Sequence, residues 1–159
     1  MSMWRRMAIE KLPKQRETIE KSESLGKLWM DLWFEFREAH IDPVDVQTIR
    51  GCYEFAWWCI GESHSKSVAG DALMGFYENL LDDSVVRKRL PEFLSVDQFR
   101  VATPGLAYPV GPEKFAELSA EFVRRRKEFA QTARWERQAN RHKRPCHRWF
   151  SSQMLGSTT

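Results

Sequence analysis

Three potential zinc ligands, His142, Cys146 and His147, lie within six residues near the C-terminus of this 159-residue chain. Structural zinc sites hold four ligands, usually as two closely spaced pairs. The other cysteines and histidines, which are Cys52, Cys59, His40 and His64, offer no second pair at metal-binding spacing. The sequence therefore predicts no metal site, and no cofactor is expected.

Other patterns that could support catalysis are incomplete. Residues 61–65 have the serine of the Gly-x-Ser-x-Gly nucleophile elbow but not its second glycine, and they follow a predicted helix where the elbow follows a strand. Asp82 and Asp83 lie between two predicted helices, where helix capping accounts for them. The sequence has no phosphate-binding loop, dinucleotide fingerprint or calcium loop. These observations favour a non-enzymatic protein and give no catalytic residue.

The strongest electrostatic feature of the sequence is a basic segment, residues 124–148. It holds ten basic and two acidic residues, a formal charge of +8, whereas the rest of the chain holds 15 basic and 20 acidic residues, a charge of −5. Trp135, Trp149 and Phe150 lie within or beside it. Arginine and tryptophan are enriched at the centres of protein interfaces, and arginine with aromatic rings also suits RNA or single-stranded nucleic acid.

We predict that the basic segment binds another macromolecule, with protein as the first hypothesis and RNA or DNA as the alternative. A solvated helix end, whose cations balance the acidic remainder of this chain or of a second copy, is the interpretation without a ligand. Arg126 shares a stripe with Phe122 and Phe129, so it is expected to be structural, either snorkelling or meeting a carboxylate. The candidate binding residues are Arg124, Arg125, Lys127, Arg134, Trp135, Arg137, Arg141, Lys143, Arg144, Arg148 and Trp149.

Apolar residues recur at helical spacing along nearly the whole chain, which predicts an all-α fold. One amphipathic helix ends near His40 and carries Lys27, Asp31, Glu35 and Glu38 on its polar side. The next helix, residues 44–60, is apolar on two faces and is predicted to lie centrally.

Helix boundaries are predicted from capping residues and from proline and glycine. Pro91 is expected to end a short helix, and Ser95 with Gln98 has the spacing of a capping box. Residues 103–112 contain three prolines and two glycines, which predicts an irregular loop. The last helix has no break before Pro145 and would extend for about 42–45 Å, so its basic end is expected to project.

Taken together, residues 1–150 are predicted to form one compact bundle of about five to six helices, with 151–159 as a disordered tail. No apolar run is long enough for a membrane span, and the N-terminus lacks the apolar region of a signal peptide. An odd number of cysteines argues against a disulfide framework. We therefore expect a cytoplasmic protein without membrane contact, and association of copies through the long helix stays open.

Four motifs occur in order between residues 44 and 122: Phe-Ala-Trp-Trp-Cys from Phe55, Phe-Tyr-Glu from Phe76, Leu-Pro-Glu-Phe-Leu-Ser from Leu90, and Tyr-Pro-Val-Gly-Pro from Tyr108. In this order they resemble a family of small uncharacterised bacterial helical proteins. The matching residues are packing and capping residues, so the resemblance implies a helical fold. It transfers no catalytic residue, because that family has no known function.

Overall fold

The computed structural model describes the backbone of residues 1–142 and the side chains of residues 1–135. Over that range the chain forms nine α-helices, two short 3₁₀ turns and no strand, so the predicted all-α class is confirmed. The predicted count of five to six helices is not confirmed, because several short helices connect the longer ones. The predicted tail, 151–159, lies outside the described residues.

The helices follow one another with short connections. They are α1 (Met3–Lys11), α2 (Arg16–Lys21), α3 (Leu25–Glu38), α4 (Val46–Gly61), α5 (Lys66–Gly75), α6 (Ser84–Phe93), α7 (Val96–Val101), α8 (Thr103–Ala107) and α9 (Pro112–His142). The 3₁₀ turns are Pro13–Gln15 and Tyr77–Asn79.

Polar side chains cap the first turns of α3, α4, α5, α6 and α7. The capping box at the start of α7 is confirmed: Ser95 Oγ accepts a hydrogen bond from the Gln98 amide at 3.1 Å, and Gln98 Oε1 accepts one from the Ser95 amide at 2.9 Å. Helix α4 begins at Val46, two residues later than predicted, because Asp45 caps it. Each cap satisfies backbone N–H groups that have no partner within the helix.

Helix α4 lies at the centre of the fold, as its two apolar faces predicted. It packs against α1 and α5, and it also contacts α3. Ile49 and Phe55 are fully buried, as are Ala56 and Cys59.

An aromatic cluster joins α3 and α4 to the segment after α5. The Trp29 ring lies 5.0 Å from that of Phe55 and 4.9 Å from that of Phe76 between centroids. Phe36 meets Phe76 edge-on at 4.9 Å. All four side chains are buried, and each contributes roughly 1.5–3 kcal/mol by removing apolar surface from water.

The predicted loop at residues 103–112 is partly wrong, because α8 occupies its first half. Pro104 lies in the first turn of α8, where a proline costs no helical hydrogen bond. Gly105 fits against α5, since a Cβ at this position would lie 2.6 Å from the Leu73 carbonyl oxygen. This glycine is needed for close packing and not for a turn.

The predicted end of a helix at Pro91 is also wrong. Helix α6 starts at Ser84, capped by Asp83, and continues through Pro91 to Phe93. Leu90 and Pro91 are buried, so packing of the second half of α6 opposes the cost of a proline inside a helix.

We expect Gly51→Ala to lower the free energy of unfolding by about 2 kcal/mol or more, because the added Cβ would lie 2.4 Å from the Lys11 carbonyl oxygen and 2.7 Å from Leu12 Cδ2. Gly70→Ala is the matched control, since Gly70 lies inside α5 with nothing within 4 Å of its Cβ position. It should stabilise the protein by about 0.5–1 kcal/mol. Urea unfolding followed by circular dichroism measures both, and effects of the same sign would contradict this account.

Candidate functional site

The first half of α9, the helix on which most of the predicted binding residues lie, is anchored on the fold by aromatic rings. The Phe122 ring stacks on that of Phe99 with the centroids 4.1 Å apart, and Phe115 stacks on the same ring at 5.9 Å. Leu118 and Phe122 are buried. These contacts fix α9 against α7 and leave its opposite side to solvent.

Two arginines fasten the middle of α9 to α6. Arg125 donates a hydrogen bond to the Lys88 carbonyl oxygen at 2.7 Å, and its guanidinium lies 3.7 Å from the Glu121 carboxylate. Arg126 donates to the Pro91 carbonyl oxygen at 2.7 Å. Arg125, predicted to bind a partner, is therefore engaged within the fold.

The structural role predicted for Arg126 is confirmed, with a different partner. Snorkelling or a carboxylate partner was expected, but the guanidinium donates to a backbone carbonyl and lies 5.7 Å from the centroid of the Phe129 ring. A carbonyl at the C-terminal end of α6 is a good acceptor for a cation, because the helix dipole places partial negative charge there.

Beyond Arg126 the helix leaves the fold. His142, the last residue of α9, is 16 residues further along, a distance of about 24 Å in a helix. Side chains from 127 to 135 are exposed apart from the half-buried Ala133. Trp135 is 73% exposed, which is unusual for so large an apolar side chain.

Three of the predicted binding residues present unpaired charge on this helix. They are exposed, and in the part of the chain whose side chains are described they form no hydrogen bond or ion pair; they are Arg124, Lys127 and Arg134. Arg124 lies on the same side of the helix as Trp135, eleven residues away, because eleven residues complete three turns. The described part of α9 thus places cations and an exposed indole together.

The other predicted binding residues fall outside the described side chains. Arg137 and Arg141 belong to the backbone of α9, but their side chains lie outside the described residues. The remaining predicted residues, Lys143, Arg144, Arg148 and Trp149, lie outside them entirely, as do the potential zinc ligands Cys146 and His147.

A groove that the sequence did not predict lies between α1, α4 and the end of α6. This groove has a volume of about 620 Å³ and includes Tyr53, Glu54, Trp57 and Phe93 in its lining. The Tyr53 hydroxyl is buried and has no hydrogen-bond partner among the described residues. The only signal in the sequence was the spacing of Glu54 and Trp57 on one side of α4. The groove carries charges of both signs, since Lys11 and Arg50 also line it.

Two cysteines and the serine of the partial nucleophile elbow are engaged within the fold. Burial raises the pKa of the Cys52 and Cys59 thiols, which keeps both protonated. Ser63 Oγ donates a hydrogen bond to the Cys59 carbonyl at 2.7 Å, so this serine caps the end of α4 and does not form a nucleophile elbow. His64, in the same loop, is exposed.

The buried histidine has a structural partner. His40 Nδ1 donates to the Phe36 carbonyl oxygen at 2.8 Å, and burial lowers the pKa of the imidazole despite that hydrogen bond. Among residues 1–135 no three histidine, cysteine, aspartate or glutamate side chains converge as metal ligands would.

Comparison with known proteins adds no functional information. No protein-family model, curated protein or solved structure matches this chain. The resemblance over residues 44–122 therefore stays a prediction. None of the helices within residues 1–142 combines the length and apolar character required to cross a bilayer.

We expect the two buried thiols to be inert in the native protein. In the variant Cys146→Ser, Ellman's reagent at about pH 8 should modify less than roughly a tenth of Cys52 and Cys59 in minutes, because only the thiolate reacts and burial disfavours it. Both should react at once in denaturing urea. Stoichiometric modification of either thiol in the folded protein would contradict the predicted burial.

Proposed function

We propose that the chain is a non-enzymatic cytoplasmic protein that binds another protein through the projecting end of α9. The observation that carries this proposal is the exposed Trp135, 73% accessible, on a helix whose neighbouring cations have no partner in the described region. Tryptophan and arginine contribute more to protein-interface energies than most other residues. The fold gains little from Trp135, because its side chain remains largely in water.

A protein partner is favoured over a nucleic acid by the charges around Trp135. Glu128 lies seven residues before Trp135, two turns back on the same side of α9, and Gln131 lies one turn back. A carboxylate in the middle of the face would oppose a phosphate backbone, whose binding depends on uninterrupted positive charge. A protein surface presents separate charges with apolar area between them, so Glu128 can lie beside apolar or basic groups of the partner.

Photo-crosslinking tests the proposal in cells. A photoreactive amino acid placed at Trp135 should give adducts that resist nuclease and are degraded by protease. The matched control is the same amino acid at Tyr108, which is exposed to a similar extent, 71%, and lies outside the projecting end. No adduct above the level of the Tyr108 control, or a nuclease-sensitive adduct, would overturn the proposal.

Titration with nucleic acid separates the alternative directly. We expect the full chain to bind labelled mixed-sequence RNA or DNA weakly, with a change in affinity below about tenfold between 50 and 200 mM salt. A complex that neutralises many phosphates would lose about 10³–10⁵-fold over that range. Fluorescence anisotropy measures this change. Tight, salt-steep binding that is lost in Arg124→Gln/Arg134→Gln would favour nucleic-acid binding.

A further inference from the structure

The outward side of α3 carries apolar side chains that the core does not cover. Phe34 is 72% exposed and Met30 is 64% exposed, while Met74 of α5 is 45% exposed. The buried stripe of α3 runs through residues such as Leu28, Leu32 and Phe36 on the other side of the helix. Three large apolar residues on two helices that contact each other thus face solvent.

Contacts at both ends of α3 place residues 71–83 beside this helix. A Cβ on Gly26 would lie 3.9 Å from Asp71 Oδ1 at the start of the helix pair. At the other end of α3, Arg37 Nε donates to Asp83 Oδ2 at 2.8 Å. Positions 30 and 34 of α3 lie between these two contacts, and position 74 lies between them on the opposing segment. We call helix α3 and residues 71–83, with the exposed Met30, Phe34 and Met74, the acidic face.

The acidic face is strongly negative. Helix α3 and residues 71–83 together hold seven acidic residues and two basic ones, a formal charge of −5. Both cations are engaged: Lys27 pairs with Asp31, and Arg37 pairs with Asp83. Four carboxylates form no ion pair in the described part of the chain; they are Glu35, Asp71, Glu78 and Asp82.

We propose that the acidic face binds the projecting basic end of α9 from a second copy of this chain. The inference rests on the proposed function, since it names the partner of that helix end. The two surfaces are complementary in charge, with −5 on the acidic face and +5 on residues 127–148, which follow the anchoring Arg125 and Arg126. Each also exposes a large aromatic residue, Phe34 on one and Trp135 on the other.

Dimensions and exposure both favour a second copy as the occupant. Helix α3 has 14 residues and is about 21 Å long, which matches the roughly 24 Å of α9 beyond Arg126. Phe34 and Trp135 are both exposed in the same chain, so α9 does not cover the acidic face of its own copy. Helix α9 packs instead on α6 and α8.

The contact would combine an apolar centre with charged pairs around it. Trp135 packs against Phe34 and the two methionines, whose thioethers make favourable contacts with aromatic rings. Arg124 and Arg134 meet unpaired carboxylates of the acidic face, which steer association and weaken it at high salt. Each copy carries both surfaces. Two copies related by a two-fold axis therefore place the helix end of each on the acidic face of the other, and the dimer is closed.

Sedimentation velocity on the full chain tests this dimer. We expect association at about 50 mM salt that weakens at about 500 mM salt. Phe34→Ser should weaken the dimer at least about tenfold, as truncation of a central interface residue does. Tyr108→Ser, which removes an equally exposed aromatic residue outside both surfaces, should leave it unchanged. Both sites are exposed, so circular dichroism should show the fold and the melting temperature preserved.

Mixing variants gives a sharper test. Phe34→Ser removes the aromatic residue of the acidic face, and Trp135→Ala removes that of the helix end. Each variant should therefore be monomeric alone at a concentration where the parent chain is dimeric. An equimolar mixture retains one intact pair of surfaces and should associate. Association of either variant alone as strongly as the parent, or no association in the mixture, would overturn the inference.

The failure of this inference can be distinguished from failure of the proposed function. A parent chain that is monomeric at all salt concentrations would exclude the second copy as occupant of the acidic face. Crosslinking from position 135 to a different protein would then still support protein binding by α9. Adducts with the mass of two chains, lost in Phe34→Ser, support both proposals together.

Discussion

The close approach of α3 to the end of α5 is the contact on which the rest of the structure depends. A Cβ at Gly75 would lie 2.8 Å from Trp29 Cβ, so only a glycine lets the two backbones come this near. That approach seats Trp29 between Phe55 and Phe76, and through Phe76 it reaches Phe36. Because these rings fix the rotation of α3 about its axis, they also determine that Met30 and Phe34 face outward.

Asp83 transmits the position of α3 to α6. One carboxylate oxygen of Asp83 accepts hydrogen bonds from the Val85 and Val86 amides at the start of α6. The other accepts a hydrogen bond from Arg37 Nε of α3. Burial alone would raise the pKa of Asp83, but these hydrogen bonds outweigh it and hold the pKa below its usual value. The charged form therefore stabilises the fold above the usual carboxyl pKa, and this contribution is lost as the pH falls through the lowered value.

Helix α6 in turn positions α9. Its carbonyl oxygens at Lys88 and Pro91 accept hydrogen bonds from Arg125 and Arg126, and Phe122 stacks on Phe99 just beyond α6. The chain of contacts from α3 through α6 to α9 ends at that point. The direction in which the basic end leaves the fold is therefore set by the same core that turns the acidic face outward.

The sequence predicted those parts of the fold that depend on local patterns. Apolar periodicity was sufficient for the all-α class and the central α4, and Ser95 with Gln98 was sufficient for the start of α7. It failed where tertiary packing overrode local preference, since α6 continues through the buried Pro91 and α8 forms around Gly105 against α5. The sequence predicted the basic segment of α9. It did not predict which arginines anchor the helix and which are unpaired, because that depends on where the carbonyl oxygens of α6 lie. The carboxylates of α3 were predicted on its polar side, but the exposure of Met30 and Phe34 on that helix was not predicted.

Trp135 and Phe34 are among the large exposed residues whose positions the packing of the fold does not account for. The first half of α9 is stabilised by contacts with α6 and α7, whereas its continuation beyond Phe129 relies on helix propensity, and Ala130, Gln131 and Arg134 favour a helix. An exposed tryptophan adds little to such a helix and increases its tendency to associate. Phe34 is likewise exposed on the outer side of α3, where the neighbouring charges are negative and those near Trp135 are positive. A single contact between the two surfaces would bury both aromatic side chains. The opposite charges around them favour this contact over one between two identical surfaces, where like charges would repel.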